Sequence, residues 1–190
     1  MTDRLKEALE EHPVIAAVKN LDDFEVALEC DCSILFLLFG NIFNLERLVQ
    51  RAKENNKIVF LHMDLIEGFS RDAVALRYIA QEIQPDGIIS TKNSQLKAAK
   101  EMGLYTVQRL FIVDSRSIQT TEKSCELIQP DLVEILPGIM PRITKMISVR
   151  LDIPVICGGL IKEVEDVIKA KENGALGVSA SSKYLWNIIL

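Results

Sequence analysis

The chain lacks several features that would assign it at once to a large class. It has no basic excess: 22 Lys and Arg stand against 27 Asp and Glu, a net charge of −5. That excludes a constitutive, charge-driven polyanion binder, though not a local basic patch. Cysteine is scarce, at four in 190 residues. Cys30 and Cys32 are one residue too close for a C-x-x-C redox pair, and Cys125 and Cys157 complete no zinc pattern. Buried, reduced thiols and no metal site are expected. Long apolar runs are missing too. The longest, 34–39, falls far below the ~20 residues that span a bilayer. Residues 1–11 are charged throughout, unlike a secretory leader. A cytoplasmic chain with no membrane partner is expected. The 9 glycines and 6 prolines gather into no linker or low-complexity tract, so one domain is expected over 1–190.

What is present is a regular alternation. A short helix at 4–11, with Leu5, Ala8 and Leu9 on one side, ends at Pro13. Strands are then predicted at 14–19, 33–39, 58–64, 87–91, 105–113, 132–136, 155–157 and 176–179. Each is followed by helical spacing of apolar residues. Helix starts are marked by Asn20, by Asn41 or Asn44, by Asn93 and by Asp114 or Ser115, and Pro141 suits a first helical turn. Several strands are apolar on both faces, which indicates a covered parallel sheet. Eight strand–helix units of about 24 residues favour closure into a single-domain α/β (β/α)₈ TIM barrel, with a doubly wound open sheet as the alternative. The loop at 65–70 is the longest between strand and helix and is expected to be a mobile flap.

Two stretches near the end dominate this pattern. PVICGGL at 154–160 and GVSASS at 177–182 each read as a buried strand that runs into small residues and a helix start. Small residues let backbone N–H groups approach an anion, and strands seven and eight are where such barrels hold phosphate. By alternation, the inward sets are Ile15, Ala17 and Lys19; Phe60, His62 and Asp64; Ile88, Ser90 and Lys92; Val107, Arg109 and Phe111; and Leu132, Glu134 and Leu136. The polar members, Lys19, His62, Asp64, Lys92, Arg109 and Glu134, fall at strand ends. They make the mouth slightly positive, which suits a small anion. A buried Arg109–Glu134 pair and a core His62 are the structural alternatives. Elsewhere, the helix after strand six carries Arg142, Lys145 and Arg150 and no acid. A solvated basic face or an anion contact would both fit.

The blocks VIAAVK (14–19), HMDL (62–65), GIISTK (87–92), QRLF (108–111), EILPG (134–138) and PVICGGL (154–160) resemble those of the glycerol-3-phosphate-responsive antiterminators. These are regulators of bacterial glycerol-uptake operons, and the resemblance covers nearly the whole chain. It implies a cytoplasmic (β/α)₈ regulator without catalytic residues or cofactor. Such a regulator binds glycerol 3-phosphate as effector and, when liganded, the leader of target mRNAs. By motif, Gly158, Gly159, Ser179, Ala180 and Ser181 would hold the phosphate. Lys19, Asp64, Lys92, Arg109 and Glu134 would surround the glycerol end, with His62 beside them. No motif marks an RNA surface; Arg142 and Lys145 are the candidates on charge alone. A homo-oligomer is left open.

The competing reading is an aldolase or isomerase acting on a small phosphorylated sugar. Lys19 or Lys92 would form a Schiff base, and Glu134, Asp64 or His62 would move protons. The barrel itself is neutral between the two, since it hosts many chemistries.

Overall fold

Short strands with apolar side chains on both faces must be covered inside and out, and a closed barrel ringed by helices does this. The computed structural model describes residues 3–188. Its strands are β1 (Val14–Val18), β2 (Ile34–Leu37), β3 (Ile58–His62), β4 (Gly87–Ser90), β5 (Tyr105–Phe111), β6 (Leu132–Leu136), β7 (Val155–Gly158) and β8 (Gly177–Ala180). Each pairs in parallel with the next, and β8 returns to β1, so the sheet is a closed eight-stranded barrel. Helix α1 (Asp3–Glu11) precedes β1. The strands are followed in turn by α2 (Leu21–Glu29), α3 (Leu45–Glu54), α4 (Ala73–Tyr78), α5 (Asn93–Glu101), α6 (Ser115–Ile128), α7 (Pro141–Arg150) and α8 (Val164–Glu172). Helix α4 runs into a π-helical turn, Ile79–Ile83, and a 3₁₀ helix, Lys183–Asn187, follows β8. The expected TIM barrel is therefore present. Most strand limits differ from expectation by one or two residues. The tail of the expected last helix, 189–190, lies outside the described residues.

Two apolar layers result. Ile15, Ile34, Phe36, Ile58, Phe60, Ile89, Val107, Leu132 and Ile156 fill the barrel, joined by Leu5, Ala8 and Leu9 of α1. The apolar side of α1 thus closes the N-terminal end of the barrel. Phe36 and Phe60 meet edge to face at 5.5 Å between ring centroids. Gly87, beside Phe60 in register, leaves room for its ring: a Cβ there would lie 2.6 Å from Phe60 Cδ1. Outside the barrel, the other strand face packs on the helices. Phe24, Phe36 and Phe60 are fully buried, and each contributes on the order of 2–3 kcal/mol through apolar surface removed from water.

That layering corrects one expectation. On β4 the inward residue is Ile89, whereas Ile88 packs in the outer layer. Ile88, Ser90 and Lys92 are therefore not an inward set. Ser90 is satisfied on the helix side. Its hydroxyl donates to Gln95 Oε1 at 2.6 Å and accepts from the Lys92 N–H at 3.0 Å.

Local signals are otherwise mostly followed. Asn20 Oδ1 accepts from the Asp23 N–H and caps α2, and Asp114 caps α6 through the Ser117 N–H. Asn93 is not a cap but the first residue of α5. Its side-chain oxygen instead accepts from Gln108 and Ser124. The 65–70 loop is not free to act as a flap. Glu67 exchanges backbone bonds with the β2–α3 loop: Ile42 N donates to Glu67 O at 3.1 Å and Glu67 N to Gly40 O at 3.0 Å. Ile66 is buried, and Gly68 sits against Ile42, with φ +83.

Candidate ligand site at the barrel mouth

The C-terminal ends of β1 and β3–β8 bring together the residues expected there. Arg109 on β5 and Glu134 on β6 stand in register. Arg109 Nε donates to Glu134 Oε2 at 2.6 Å, with side-chain exposures of 10% and 0%. The other carboxylate oxygen, Oε1, accepts from Ser179 Oγ of β8 at 2.5 Å. One fully buried carboxylate thus joins the expected phosphate end to the expected glycerol end.

Gly158 ends β7 directly against this carboxylate. A Cβ at that position would collide with Glu134 Oε1 and lie 2.7 Å from Ser179 Oγ, so only glycine fits. Gly159 follows with φ +72, a conformation open to glycine at little cost. Its carbonyl accepts from the Gly138 N–H at 3.0 Å, which ties the end of β7 to the Pro137–Gly138 turn. The Leu136–Pro137 peptide in that turn is cis.

Lys19 and Ser181 close the ring between β1 and β8. Lys19 Nζ donates to Ser181 Oγ at 2.7 Å. Lys19 was expected at the glycerol end, but it sits with the glycine- and serine-rich endings. Ala180 does not offer its side chain to the mouth: it packs in the outer layer, and its carbonyl accepts from Trp186 Nε1 at 2.8 Å.

On the far side, Asp64 follows β3. Its Oδ2 accepts from Thr91 Oγ1 at 3.2 Å, and its Oδ1 lies 3.9 Å from Lys92 Nζ. Lys92 therefore reaches the mouth by its length although β4 runs in the opposite phase. Thr91, absent from the expected set, shares the inward phase of Gly87 and Ile89; the room that Gly87 leaves for Phe60 is the signal for that phase.

His62 lies between these groups and is buried, with 4% exposure. Burial first, and then the Arg109 charge, push its pKa down to about 4, against a smaller opposing effect of Asp64. It is neutral at pH 7. Among the described residues its buried Nδ1 has no hydrogen-bond partner.

The charges can now be matched. Glu134 answers Arg109 and Asp64 answers Lys92, while Lys19 is in no ion pair among the described residues. Among the described residues, Lys19 is thus an unpaired cation next to the endings of β7 and β8. Among the described residues, no three His, Cys, Asp or Glu side chains gather closely enough to hold a metal ion. Arg142 and Lys145 are exposed on α7. The four cysteines are free and buried; burial pushes Cys125 up to about 12 and Cys157 to about 11.

A family model described as glycerol-3-phosphate responsive antiterminator matches residues 14–186, nearly the whole barrel. The chain belongs to this family. The glycerol uptake operon antiterminator regulatory protein of Listeria monocytogenes is 38% identical, with a TM-score of 0.87 over 91% of this chain and 94% of that one. An antiterminator-related protein of Thermotoga maritima is 28% identical, with a TM-score of 0.80 over 92% of this chain and 98% of that one. Among curated proteins, the uncharacterized YgcP of Escherichia coli is 37% identical over 95% of this chain and 94% of its own length. More distant barrels, aldolases among them, share the fold alone. Family membership supports a regulatory role of the antiterminator type. No helix among the described residues is long and apolar enough to cross a membrane.

Proposed function

We propose that the chain is a one-domain cytoplasmic regulator that binds glycerol 3-phosphate at the barrel mouth and, when liganded, binds the leader of target mRNAs. The carrying observation is the unpaired Lys19 beside Ser181 at the endings of β7 and β8. A phosphate there would meet a cation, a hydroxyl and closely approachable backbone at Gly158 and Gly159. The glycerol hydroxyls would extend toward Arg109, Glu134 and Asp64. They would also meet His62, whose neutral ring offers a donor or an acceptor at Nδ1 depending on tautomer. A hydroxyl is both donor and acceptor, and so suits either form.

Regulation follows as a population shift: ligand favours one arrangement of the mouth, and RNA binds that arrangement better. Net acidity supports such gating, because weak nonspecific attraction keeps unliganded protein off RNA. Arg142 and Lys145 are the proposed phosphate contacts.

The aldolase reading finds less support. A Schiff-base lysine is activated by an apolar pocket or a neighbouring cation. Lys92 instead lies beside Asp64, and Lys19 is exposed and bonded to Ser181.

Calorimetric titration with glycerol 3-phosphate and with glycerol tests the ligand half. Equal affinity for the two would sink the phosphate cradle. A gel shift of leader RNA with and without ligand tests the other half, and an Arg142→Glu/Lys145→Glu variant should lose ligand-dependent retention. Borohydride trapping with triose phosphates should leave Lys19 and Lys92 unmodified.

A further inference from the structure

A groove of about 740 Å³ runs between the N-terminal halves of α6 and α7. Its walls are apolar, with Ile112 and Ile118 on one side and Met140 and Met146 on the other; Arg142 and Lys145 stand at its edge. We propose that this groove receives unpaired bases of a single-stranded RNA, and that the Arg109–Glu134 pair couples its width to the ligand. The proposal rests on the RNA-binding reading above and names the surface and the state of the RNA.

Charge indicates the occupant. Helix α7 carries no acid. Its Arg150 is held by Glu122 at 2.9 Å, but Arg142 and Lys145 are in no ion pair among the described residues. Asp114 also lines the groove; it caps α6 by accepting from the Ser117 N–H at 2.7 Å, and the helix N-terminus offsets part of its charge. An acidic protein thus presents two unanswered cations at the lip of an apolar cleft. A flexible strand satisfies both features at once: phosphates on the cations, base faces on the methionine and isoleucine side chains. A duplex cannot, because its bases are stacked away. The volume lies within the roughly 300–1,000 Å³ of small-molecule sites, room for a base or two.

The coupling follows from chain continuity. Ile112 follows the end of β5, which carries Arg109, and Met140 follows the Pro137–Gly138 turn that ends β6, which carries Glu134. The two segments are also joined directly: Ile112 N donates to Leu136 O at 2.9 Å. A ligand oxygen that draws Arg109 away from Glu134 therefore shifts the roots of both walls together.

The test uses RNAs selected by the liganded wild-type protein from a random single-stranded pool, with thiouridine for ultraviolet crosslinking. Crosslinks are expected on the peptides that carry Met140, Met146 or Ile112. Met146→Glu should weaken RNA binding about tenfold or more, as loss of a stacked base does. Met146 is half-buried against the outer apolar layer, so the thermal midpoint should fall, but the variant should remain folded at the assay temperature and keep the glycerol 3-phosphate titration of wild type, and Met146→Leu should restore RNA binding. Crosslinks elsewhere, with Met146→Glu binding as wild type, would overturn the groove while the RNA reading stands. Equal competition by the same sequences as duplex would also overturn it. So would a wild-type dimer, seen by light scattering, that Met146→Glu dissociates. If liganded wild type selects no RNA, the groove proposal and the RNA reading fall together.

Discussion

Ser179 Oγ donates to Glu134 Oε1 at 2.5 Å, although the two residues stand 45 positions apart in the chain. Arg109 takes the other oxygen of the same carboxylate at 2.6 Å. Three strands therefore share one buried charge, and its disturbance should be felt in folding as well as in binding. Replacing Arg109 by Met strands the Glu134 charge and should destabilise the protein by about 3–5 kcal/mol. Arg109→Met/Glu134→Leu should recover at least half of that loss, because both charges are then absent. Urea denaturation of the two single variants and the double variant measures the coupling; simple additivity would refute it.

Gly158→Ala puts a methyl group into the space of Glu134 Oε1 and Ser179 Oγ. A forced shift in so tight a site should cost about 1–3 kcal/mol of stability. The heat of glycerol 3-phosphate binding should vanish or fall steeply, since the displaced groups line the ligand site. Full binding by this variant would separate the end of β7 from the ligand.

Strand alternation carried much of this site in the linear sequence. It placed Lys19, Arg109 and Glu134 at the mouth and put the glycine- and serine-rich endings on β7 and β8. It failed on β4, where the phase is that of Gly87 and Ile89, and the inward place of Gly87 is set by Phe60 on another strand. Bonds between distant segments were equally hidden. Nothing local in the 65–70 loop announces its backbone bonds to Gly40 and Ile42, and nothing near Lys19 announces Ser181. Alternation is a property of one strand, whereas these partners are chosen when the barrel closes.

Lys19 should separate binding from stability. It is exposed, and its one hydrogen bond is to Ser181. Lys19→Met should weaken glycerol 3-phosphate binding about tenfold to a hundredfold, the range of a charge-assisted hydrogen bond. Its unfolding free energy should stay within about 0.5 kcal/mol of wild type, as for most surface changes. Calorimetry and urea denaturation on the same preparation provide both readings. Unaltered affinity would remove Lys19 from the phosphate site.

His62 predicts a pH dependence of definite sign. Its pKa is about 4 in the folded protein against an ordinary 6.5. Between those values the unfolded chain binds a proton that the folded one does not, so stability falls as pH drops from about 6.5 toward 4. The full effect is roughly 3 kcal/mol. A His62→Gln variant should lose less stability than wild type between about pH 7 and pH 4.5 by nearly that amount. Parallel urea midpoints for the two proteins would refute the assignment.

Helix α1 lends the barrel one further property. With Leu5, Ala8 and Leu9 seated among the inner side chains, the described residues plug the barrel at its N-terminal end. A small molecule bound at the mouth therefore arrives and departs on the side where the β-strands end. The α1 side is then a neutral handle. A surface tether or fluorophore attached there leaves both the mouth and the α6–α7 rim clear, so occupancy of either can be followed without obstructing it.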